Sequence, residues 1–404
     1  MYDRRYEADG NERRRNGQGI TQHEYYFPDF KVESLALPAG WRAAVRRRSR
    51  TSVGMEDANM QLFDRDNSAS RLPVSLVTGF LGSGKTTLIS RLLRHPGMGD
   101  SAVIINEFGE VGLDHLLVQA IDGEVAVLAS GCVCCSLRSD LEQTLRDLLV
   151  RRERGEVPSF ARILVETTGL ADPAPIVQLL LNNPLVSHFV RLDTLVTTVD
   201  AVNGFRQLDE HNEAMKQVAL ADRLLLTKTD LAIPETLEPL RQRLHTLNPA
   251  ASAQAVSHGE IEPDVLFGAA LFDPSRKSPD VRRWINEEAY GSDQHSHGRD
   301  CGAAIDACCL SRNEPLDWDA LVSWLGRLRK EVGSDLLRVK GILNLVGESA
   351  PVAIHGVHHV FHPPVMLDTW PDDDHRSRIV FITRGIDRGK LERSFLEHVV
   401  AQPV

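Results

Sequence analysis

The segment from Gly79 to Thr86 restricts the fold of this chain more than any other part of the sequence. It reads Gly-Phe-Leu-Gly-Ser-Gly-Lys-Thr and fits the pattern G-x-x-x-x-G-K-[ST]. A largely apolar run at 72–78 precedes it, and apolar residues spaced three and four apart follow it at 87–94, which predicts a buried strand and then a helix. Such a loop directs backbone N–H groups and the positive end of a helix at an anion. We therefore predict that the chain binds a nucleoside triphosphate.

Three side chains are predicted to serve catalysis at this loop. Lys85 is expected to contact the β- and γ-phosphates, and the hydroxyl of Thr86 is expected to ligate Mg²⁺. Glu166 ends a later strand and opens a Glu-Thr-Thr-Gly turn, where a carboxylate can hold Mg²⁺ or its water and the N–H of Gly169 can sense the γ-phosphate. The predicted nucleotide-binding residues are Gly79, Gly82, Ser83, Gly84, Lys85, Thr86, Thr87, Gly169, Lys228 and Asp230.

The choice of base is predicted from the segment Thr227-Lys228-Thr229-Asp230, which follows an apolar strand. The stem of Lys228 is expected to pack on the base, while Asp230 accepts hydrogen bonds from guanine N1–H and the 2-amino group. Adenine offers neither donor, and unpaired buried acceptors are costly, so GTP is favoured over ATP. Thr227 stands where guanine-nucleotide proteins usually carry Asn, which removes one orienting amide.

A cluster of thiols at 131–135, Gly-Cys-Val-Cys-Cys, predicts a metal site. A disulfide within so short a loop is geometrically awkward, whereas soft thiolates on one loop suit Zn²⁺, Cu⁺ or another thiophilic ion. A fourth ligand is expected from Glu107, Glu110 or His115. Redox chemistry of the thiols and inert packing are the alternatives. The segment around Glu107 follows the second strand, where switch I lies in GTPases, so the metal site and a γ-phosphate sensor would be neighbours.

Two weaker groups could form further sites, although solvation or a structural role is the simpler explanation of each. Alternation within the histidine-rich run 355–362 would place His358 and His362 on one face of a strand and His355 and His359 on the other. The other group spans a polar stretch and the segment after it. Its members are His295, His297, Cys301, Cys308 and Cys309.

Strand and helix patterns alternate from 72 to about 268, which predicts a parallel sheet covered on both faces, with ligands at the carboxyl ends of its strands. From 304, strands joined by short links predict an antiparallel sheet with helices on one side. The predicted divisions are a disordered extension at 1–70, a nucleotide-binding domain at 71–270, a linker at 271–303 and an α+β domain at 304–400. The predicted strands are Val74–Thr78, Ala102–Asn106, Val125–Leu128, Arg162–Glu166, Thr194–Val199, Arg223–Leu226 and Ala253–Val256, followed by Ala304–Leu310, 336–346, 350–355, 357–362 and 378–384.

Composition excludes several other classes of protein. The formal net charge of −10 argues against a broad electrostatic grip on nucleic acid, and nothing approaches the roughly 18 apolar residues of a membrane span. The first fifteen residues are charged throughout, unlike a secretory signal. Six cysteines without an export signal are better explained as thiols or metal ligands than as disulfides. The expected compartment is the cytoplasm.

Together, GFLGSGKTTL, NEFGEVGLDH, GCVCC, ETTGLADP, TKTD and RVKGILNL resemble the CobW-type family of P-loop GTPases, relatives of the GTPases that mature urease and hydrogenase. The resemblance covers residues 72–400. It implies an α/β P-loop domain with a mainly parallel sheet, followed by a smaller α+β CobW C-terminal domain. It also implies weak GTP hydrolysis, and zinc or cobalt carried for a client metalloprotein, with a nucleotide-dependent homo-oligomer as an option. The implied metal ligands are Cys132, Cys134, Cys135 and Glu107.

Two other classes of function compete with this interpretation. One is a small-molecule kinase or ligase that uses the same phosphate loop, against which Lys228 and Asp230 argue. The other is a metal buffer or thiol sensor whose nucleotide site is vestigial. Relatives often carry a longer histidine tract between the domains, which here shrinks to His295 and His297 and argues against high-capacity metal storage.

Overall fold

Six parallel strands form the centre of the N-terminal domain. They are almost entirely buried, except at the β8 edge, as expected for a sheet covered by helices on both faces. The strand that leads into the phosphate loop, β1, lies in the middle of the order β2-β5-β1-β6-β7-β8. The predicted parallel sheet is therefore confirmed. The strands are β1 (Leu72–Gly79), β2 (Ser101–Ile105), β5 (Arg162–Glu166), β6 (Val190–Asp200), β7 (Arg223–Thr227) and β8 (Ser252–Ala255).

The structure is a computed structural model. It describes residues 71–105, 115–119, 125–129, 137–268, 305–358, 360–361, 364–367 and 369–400. The predicted extension at 1–70 and the predicted linker at 271–303 lie outside these residues, so both stay predictions.

An antiparallel hairpin, β3 (His115–Gln119) and β4 (Val125–Ala129), extends the sheet beyond β2. Strand β3 was not predicted from the sequence. Because β3 runs opposite to β2 and β4 runs opposite to β3, β4 again has the direction of β2 and ends at the same edge of the sheet. With strands about 4.8 Å apart, the end of β2 lies about 10 Å from β1, and the end of β4 lies about 10 Å farther on.

Helices cover both faces of this sheet and close a core around residues such as Val77, Leu88, Val103 and Leu164. Predicted helices at 139–152, 175–181, 211–219 and 234–247 are confirmed to within two residues at each end. The helices are α1 (Lys85–Leu92), α2 (Leu137–Glu153), α3 (Ala174–Asn182), α4 (Val186–Phe189), α5 (Gly204–Glu210), α6 (Asn212–Leu220), α7 (Pro234–Leu247) and α8 (Pro263–Leu266), with a 3₁₀ turn at Pro96–Met98.

The C-terminal domain is an antiparallel sheet with two helices on one face, as predicted. Trp324 anchors its core, with ring centroids 5.8 Å from Phe381 and 5.0 Å from Phe395. The sheet has the order β12-β11-β10-β14-β9, and β13 pairs with β11. The elements are β9 (Ile305–Arg312), α9 (Trp318–Val332), β10 (Leu336–Leu343), β11 (Val352–Val357), β12 (Val360–Phe361), β13 (Val365–Met366), β14 (Ser377–Arg384) and α10 (Arg388–Phe395), which continues as a π-helical turn at Leu396–Val400.

The other face of this sheet packs against the N-terminal domain. The central strand β10 is buried along its whole length, because one face meets the two helices and the other meets α6. On the α6 side, Arg338 and Lys340 both pair with Asp222, which lies just after that helix. The domains are thus joined by buried charges as well as by apolar contact.

The predicted boundary between two strands of this domain was wrong. The sequence analysis separated strands 350–355 and 357–362, but β11 continues to Val357 and the chain turns at His358, whose φ is +51°. Alternation does not pass through such a turn, so it cannot place His358 and His362 on one face. His355 and His358 are both buried, and the Nδ1 atom of His358 lies 3.0 Å from the carbonyl oxygen of Ser334.

Candidate nucleotide site

The phosphate loop is held by backbone conformations that require glycine. Gly82 and Gly84 have φ values of +71° and +89°, and Gly79 has φ +142°. A Cβ atom on Gly79 would lie 2.4 Å from the carbonyl oxygen of Thr198 and 2.7 Å from the Oγ atom of Ser83, so only glycine fits there. Ser83 and Thr198 also bond through their hydroxyls, at 2.7 Å. The loop is therefore fixed to β6 on one side.

Lys85 and Thr86, which are predicted to contact the phosphates and Mg²⁺, lie together at the start of α1. The Nζ atom of Lys85 donates to the carbonyl oxygens of Gly79 (2.9 Å) and Phe80 (3.3 Å), which keeps the ammonium group inside the loop. The hydroxyl of Thr86 donates to the Oε1 atom of Glu166 over 2.8 Å, although the two residues are 80 positions apart. Two hard oxygen donors in contact are the donor set that Mg²⁺ prefers.

The turn after Glu166 packs directly on the phosphate loop. The backbone N–H of Thr167 donates to Val77 in β1, and its hydroxyl bonds to that of Thr78 at 2.8 Å. A Cβ atom on Gly169 would lie 2.7 Å from the backbone nitrogen of Leu81. The two loops are in backbone contact at Gly169, so a shift of one loop requires the other to adjust.

Thr227 ties the predicted base-reading segment to the phosphate loop. Its hydroxyl donates to the carbonyl oxygen of Ser83 (2.7 Å) and lies 3.2 Å from that of Val199. The sequence analysis interpreted Thr227 only as the loss of an asparagine amide. The structure shows a buried threonine that connects two loops 144 residues apart.

Asp200, which the sequence analysis missed, holds Lys228. Its Oδ2 atom lies 2.8 Å from the Nζ atom of Lys228, and its carboxylate also accepts from the backbone of Val202 and from Asn203. Burial alone would raise the pKa of Asp200, but these hydrogen bonds, led by the one from Lys228, outweigh burial and lower it. Lys228 itself has φ +56°, a left-handed conformation rare outside glycine. An acidic residue ending a parallel strand was the available signal, as at Glu166.

A second missed segment, Ser257–Gly259, faces the base-reading residues. The hydroxyls of Thr229 and Ser257 lie 3.2 Å apart, and the Nε2 atom of His258 lies 3.9 Å from the Oδ2 atom of Asp230. Asp230 is one-third exposed, so its carboxylate is open to a base. Gly259, with φ +75°, lies against Thr87 and Leu88 of α1. The segment follows β8 and therefore lies at the same edge of the sheet as the other loops.

The residues present fit a nucleotide and Mg²⁺. The first turn of α1 contains no acidic residue, and Gly84 leaves the helix start without a side-chain cap among the described residues, which suits a phosphate. Lys85 supplies positive charge, and the contact between Thr86 and Glu166 supplies oxygen donors. Base, phosphate and metal-ion contacts can thus be made from one edge of the sheet.

The predicted thiol loop lies outside the described residues, so it stays a prediction. Within the described part of the chain, no cluster of three or more His, Cys, Asp or Glu side chains is placed to hold a metal. Cys308 and Cys309 lie on opposite faces of β9, and burial raises the pKa of Cys308 to about 12, so these two thiols do not form a shared site. The candidates outside the described residues are Glu107, Glu110, Cys132, Cys134, Cys135, His295, His297, Cys301, His359 and His362.

None of the helices in the described ranges has both the length and the apolar character needed to cross a membrane.

Comparison with known proteins assigns both domains. Residues 73–254 match the CobW/HypB/UreG nucleotide-binding domain, and residues 305–399 match the cobalamin synthesis protein CobW C-terminal domain. The chain is 33% identical over 325 residues to the zinc chaperone YjiA of Escherichia coli, covering 80% of this chain and 98% of that protein. It is 29% identical over 361 residues to the zinc chaperone CobW of Pseudomonas aeruginosa, covering 80% of this chain and 90% of that protein.

A solved structure agrees with these matches. The crystal structure of the Zn(II)-bound YjiA GTPase from E. coli superimposes with a TM-score of 0.61 at 29% identity, covering 81% of this chain and 99% of that one. The similarity therefore runs through both domains, in sequence and in fold. The chain belongs to the CobW/HypB/UreG family and joins its nucleotide-binding domain to a CobW C-terminal domain.

Proposed function

We propose that this chain is a GTP-hydrolysing metallochaperone that binds zinc at the loop of Cys132, Cys134 and Cys135, with Glu107 as a further ligand, and delivers the ion to a client metalloprotein. Zinc is favoured over cobalt because the relatives with which the chain aligns along both domains are named zinc chaperones. GTPase activity agrees with the E. coli relative, which is named a GTPase in its crystal structure.

Guanine recognition is assigned to Lys228 and Asp230. Asp200 and the left-handed backbone at Lys228 hold the lysine stem where it can cover one face of the base. The carboxylate of Asp230, which is open to solvent, accepts from the two guanine donors. Because Thr227 bonds to Ser83, the distance between the base-reading and phosphate loops is set before the nucleotide arrives.

Hydrolysis is assigned to the residues at the start of α1 and at the end of β5. Lys85 and the N–H groups of α1 would neutralise the phosphates, while Thr86 and Glu166 would hold Mg²⁺, which would supply further positive charge to the phosphate chain. The N–H of Gly169 contacts the γ-phosphate. Once that phosphate leaves, the contact is lost and the Gly169 turn is released.

The observation that carries the metal part of this proposal is the common direction of β1, β5, β2 and β4. All four end at one edge of the sheet, in the order β1, β5, β2 and β4, so the end of β2 lies midway between the ends of β1 and β4. In the sequence, Glu107 comes two residues after the end of β2, and Cys132 comes three residues after the end of β4. His115, the alternative ligand, pairs with Ala129 across the hairpin, two positions before the cysteine loop begins. A ligand from the Glu107 segment would therefore connect zinc to the nucleotide.

The test is a zinc titration against a chelating dye, with a non-hydrolysable GTP analogue, with GDP and without nucleotide. If Glu107 both ligates zinc and responds to the γ-phosphate, linkage requires zinc and the analogue to raise each other's affinity by the same factor, roughly 5- to 150-fold. Equal zinc affinity in all three states would refute the chaperone cycle and leave a GTPase that carries a metal.

Replacing Cys132, Cys134 and Cys135 by Ser should abolish tight zinc binding. The matched control is Cys309→Ser, which removes a half-buried thiol on β9 and should leave zinc binding unchanged. Full zinc stoichiometry in the triple variant would refute the loop assignment and point to His295, His297 and Cys301.

Competition between GTP and ATP for binding separates the GTPase from a kinase or ligase. GTP turnover that is abolished by Lys85→Ala excludes a vestigial nucleotide site.

A further inference from the structure

Gln217 in α6 holds the turn that carries Gly169. Its Nε2 atom donates to the carbonyl oxygens of Gly169 (3.1 Å) and Ala171 (3.0 Å), although the side chain lies 48 and 46 positions away in the sequence. The residue is only 1% exposed. Its neighbour Lys216 forms an ion pair of 3.0 Å with Asp172 in the same turn. Two consecutive residues of one helix therefore bind one short loop.

Within the described residues, the Gln217 amide forms protein hydrogen bonds through its nitrogen and not through its oxygen. Both of its N–H groups are directed to the loop, whereas its buried Oε1 atom has no protein hydrogen-bond partner within the described residues. A buried amide oxygen without a protein donor is unfavourable for folding. An apolar side chain of the same length would avoid that cost, but it would also remove the donor to the carbonyl oxygens of Gly169 and Ala171. The effect of Gln217 is therefore to fix two carbonyl groups of the loop.

The helix that carries Gln217 is itself fixed at its carboxyl end. Asn248 donates to the carbonyl oxygens of Val218, Ala219 and Ala221, at 2.8, 3.2 and 2.9 Å. Arg338 of the C-terminal sheet donates to those of Leu220 and Ala221. The carbonyl groups that end a helix have no partners within it, and here two side chains from elsewhere satisfy them. Gln217 thus projects from an anchored support, and the loop is held against it.

We propose that Gln217 is a positioning residue for the γ-phosphate, acting through the Gly169 turn; this rests on the function proposed above. Gln217 keeps Gly169 against Leu81 of the phosphate loop, so that the N–H of Gly169 is in place before GTP binds. Without it, GTP must order the turn on binding. GDP has no γ-phosphate and does not depend on the turn.

The experiment compares Gln217→Met with the wild-type chain. Methionine matches the length of glutamine but donates no hydrogen bond. Two neutral hydrogen bonds together correspond to roughly a ten- to thirty-fold change in an equilibrium. We therefore expect affinity for a non-hydrolysable GTP analogue and kcat/KM for GTP to fall by roughly that factor, with GDP affinity unchanged. Gln207→Met is the matched control. Gln207 and Gln217 both line a small cavity beside Phe80 and Thr198, but Gln207 makes no side-chain hydrogen bond to the turn.

The outcomes separate this inference from the function on which it rests. A wild-type chain that fails to bind or hydrolyse GTP contradicts the proposed function. If the wild type is active, equal losses for GDP and the analogue, or no loss at all, overturn the role of Gln217. Should Gln217→Met unfold, Gln217→Asn keeps an amide in the same cavity but is one methylene too short to reach both carbonyl oxygens, and the same selective loss is expected. Tighter analogue binding in either variant would mean that Gln217 opposes GTP, which also overturns the inference.

Discussion

Replacing Asp222 by Asn should weaken the junction between the two domains. Asp222 is 6% exposed, and its Oδ1 atom contacts Arg338 and, at 2.7 Å, Lys340. Its Oδ2 atom accepts from the backbone N–H of Leu195 at 2.9 Å. Burial alone would raise the pKa of this carboxyl, but the positive charges of Arg338 and Lys340, with His355, outweigh it and hold the pKa well below its ordinary value. Asparagine keeps the shape and one acceptor but removes the negative charge that Arg338 and Lys340 share.

The expected destabilisation follows from the loss of that charge. Removing one partner of a buried ion pair costs about 3–5 kcal/mol. Asparagine retains the bond to Leu195, so we expect about 3 kcal/mol, which corresponds to a drop in Tm of about 6–12 °C for a domain of about 200 residues. Differential scanning calorimetry at pH 7 measures this drop. The control Asp335→Asn removes a half-exposed ion pair with Arg384 and should cost at most about 1 kcal/mol.

The Tm values of the wild type and of Asp222→Asn should converge in acid. Because the folded pKa of Asp222 is depressed, its contribution to stability is complete above the unfolded pKa of about 3.9 and declines as pH falls from there toward the folded value. The Tm difference between wild type and Asp222→Asn should therefore be constant from pH 7 to about pH 5 and shrink below about pH 4. A loss no larger than that of Asp335→Asn, or a difference that is unchanged at pH 3, would refute the reasoning.

Three further predictions concern the nucleotide. Lys85→Ala should lower GTP turnover by about two orders of magnitude or more, since charge stabilisation of this kind contributes roughly 3–4 kcal/mol; a phosphate-release assay at near-wild-type rate would contradict the role of Lys85. Asp230→Asn should weaken GTP and favour a xanthine nucleotide in a competition assay, and unchanged GTP affinity would remove the base-reading role. Asp200→Asn keeps the acceptor for the turn at Val202 but loses the charge that holds Lys228, so GTP and GDP should both weaken by about tenfold, while inorganic triphosphate binds as before; a loss shared by triphosphate would show a general disturbance of the loops.

The central sheet was predictable because most of its six parallel strands contain a short, largely apolar run followed by a helical pattern or a turn. The missed strand, β3, is His-Leu-Leu-Val-Gln, in a region where the sequence analysis looked only for metal ligands. A signal was available, since Asp122-Gly123 separates two apolar runs and such pairs favour hairpins. In the C-terminal domain, the boundary at His358 was missed because a histidine with positive φ has no distinctive sequence pattern.

The phosphate loop could be located from the sequence because its residues are consecutive and their pattern has one physical explanation. The contacts that hold the site together are different, since they join distant positions. Thr227 bonds to Ser83, which is 144 positions away in the sequence. Lys228 pairs with Asp200 at a separation of 28 positions, and Gln217 bonds to Gly169 at a separation of 48. None of these pairs has a local pattern, because the sheet order, and not the sequence spacing, makes them neighbours.

The sheet order also bears on how a bound nucleotide would communicate its state to the proposed zinc loop. The proposed base-reading segment follows β7, and the phosphate loop follows β1, so on these roles the nucleotide would extend along the edge from β7 toward β5. GTP and GDP are alike at the β7 end and differ only at the γ-phosphate. On the proposed roles, that difference falls beside the Gly169 turn after β5 and the Glu107 segment after β2, which are the next two loops on the way to β4. A zinc site on the β7 side would be separated from the γ-phosphate by the whole nucleotide. A site after β4 is reached from the γ-phosphate through those two loops, so coupling requires only that they move when the phosphate is lost.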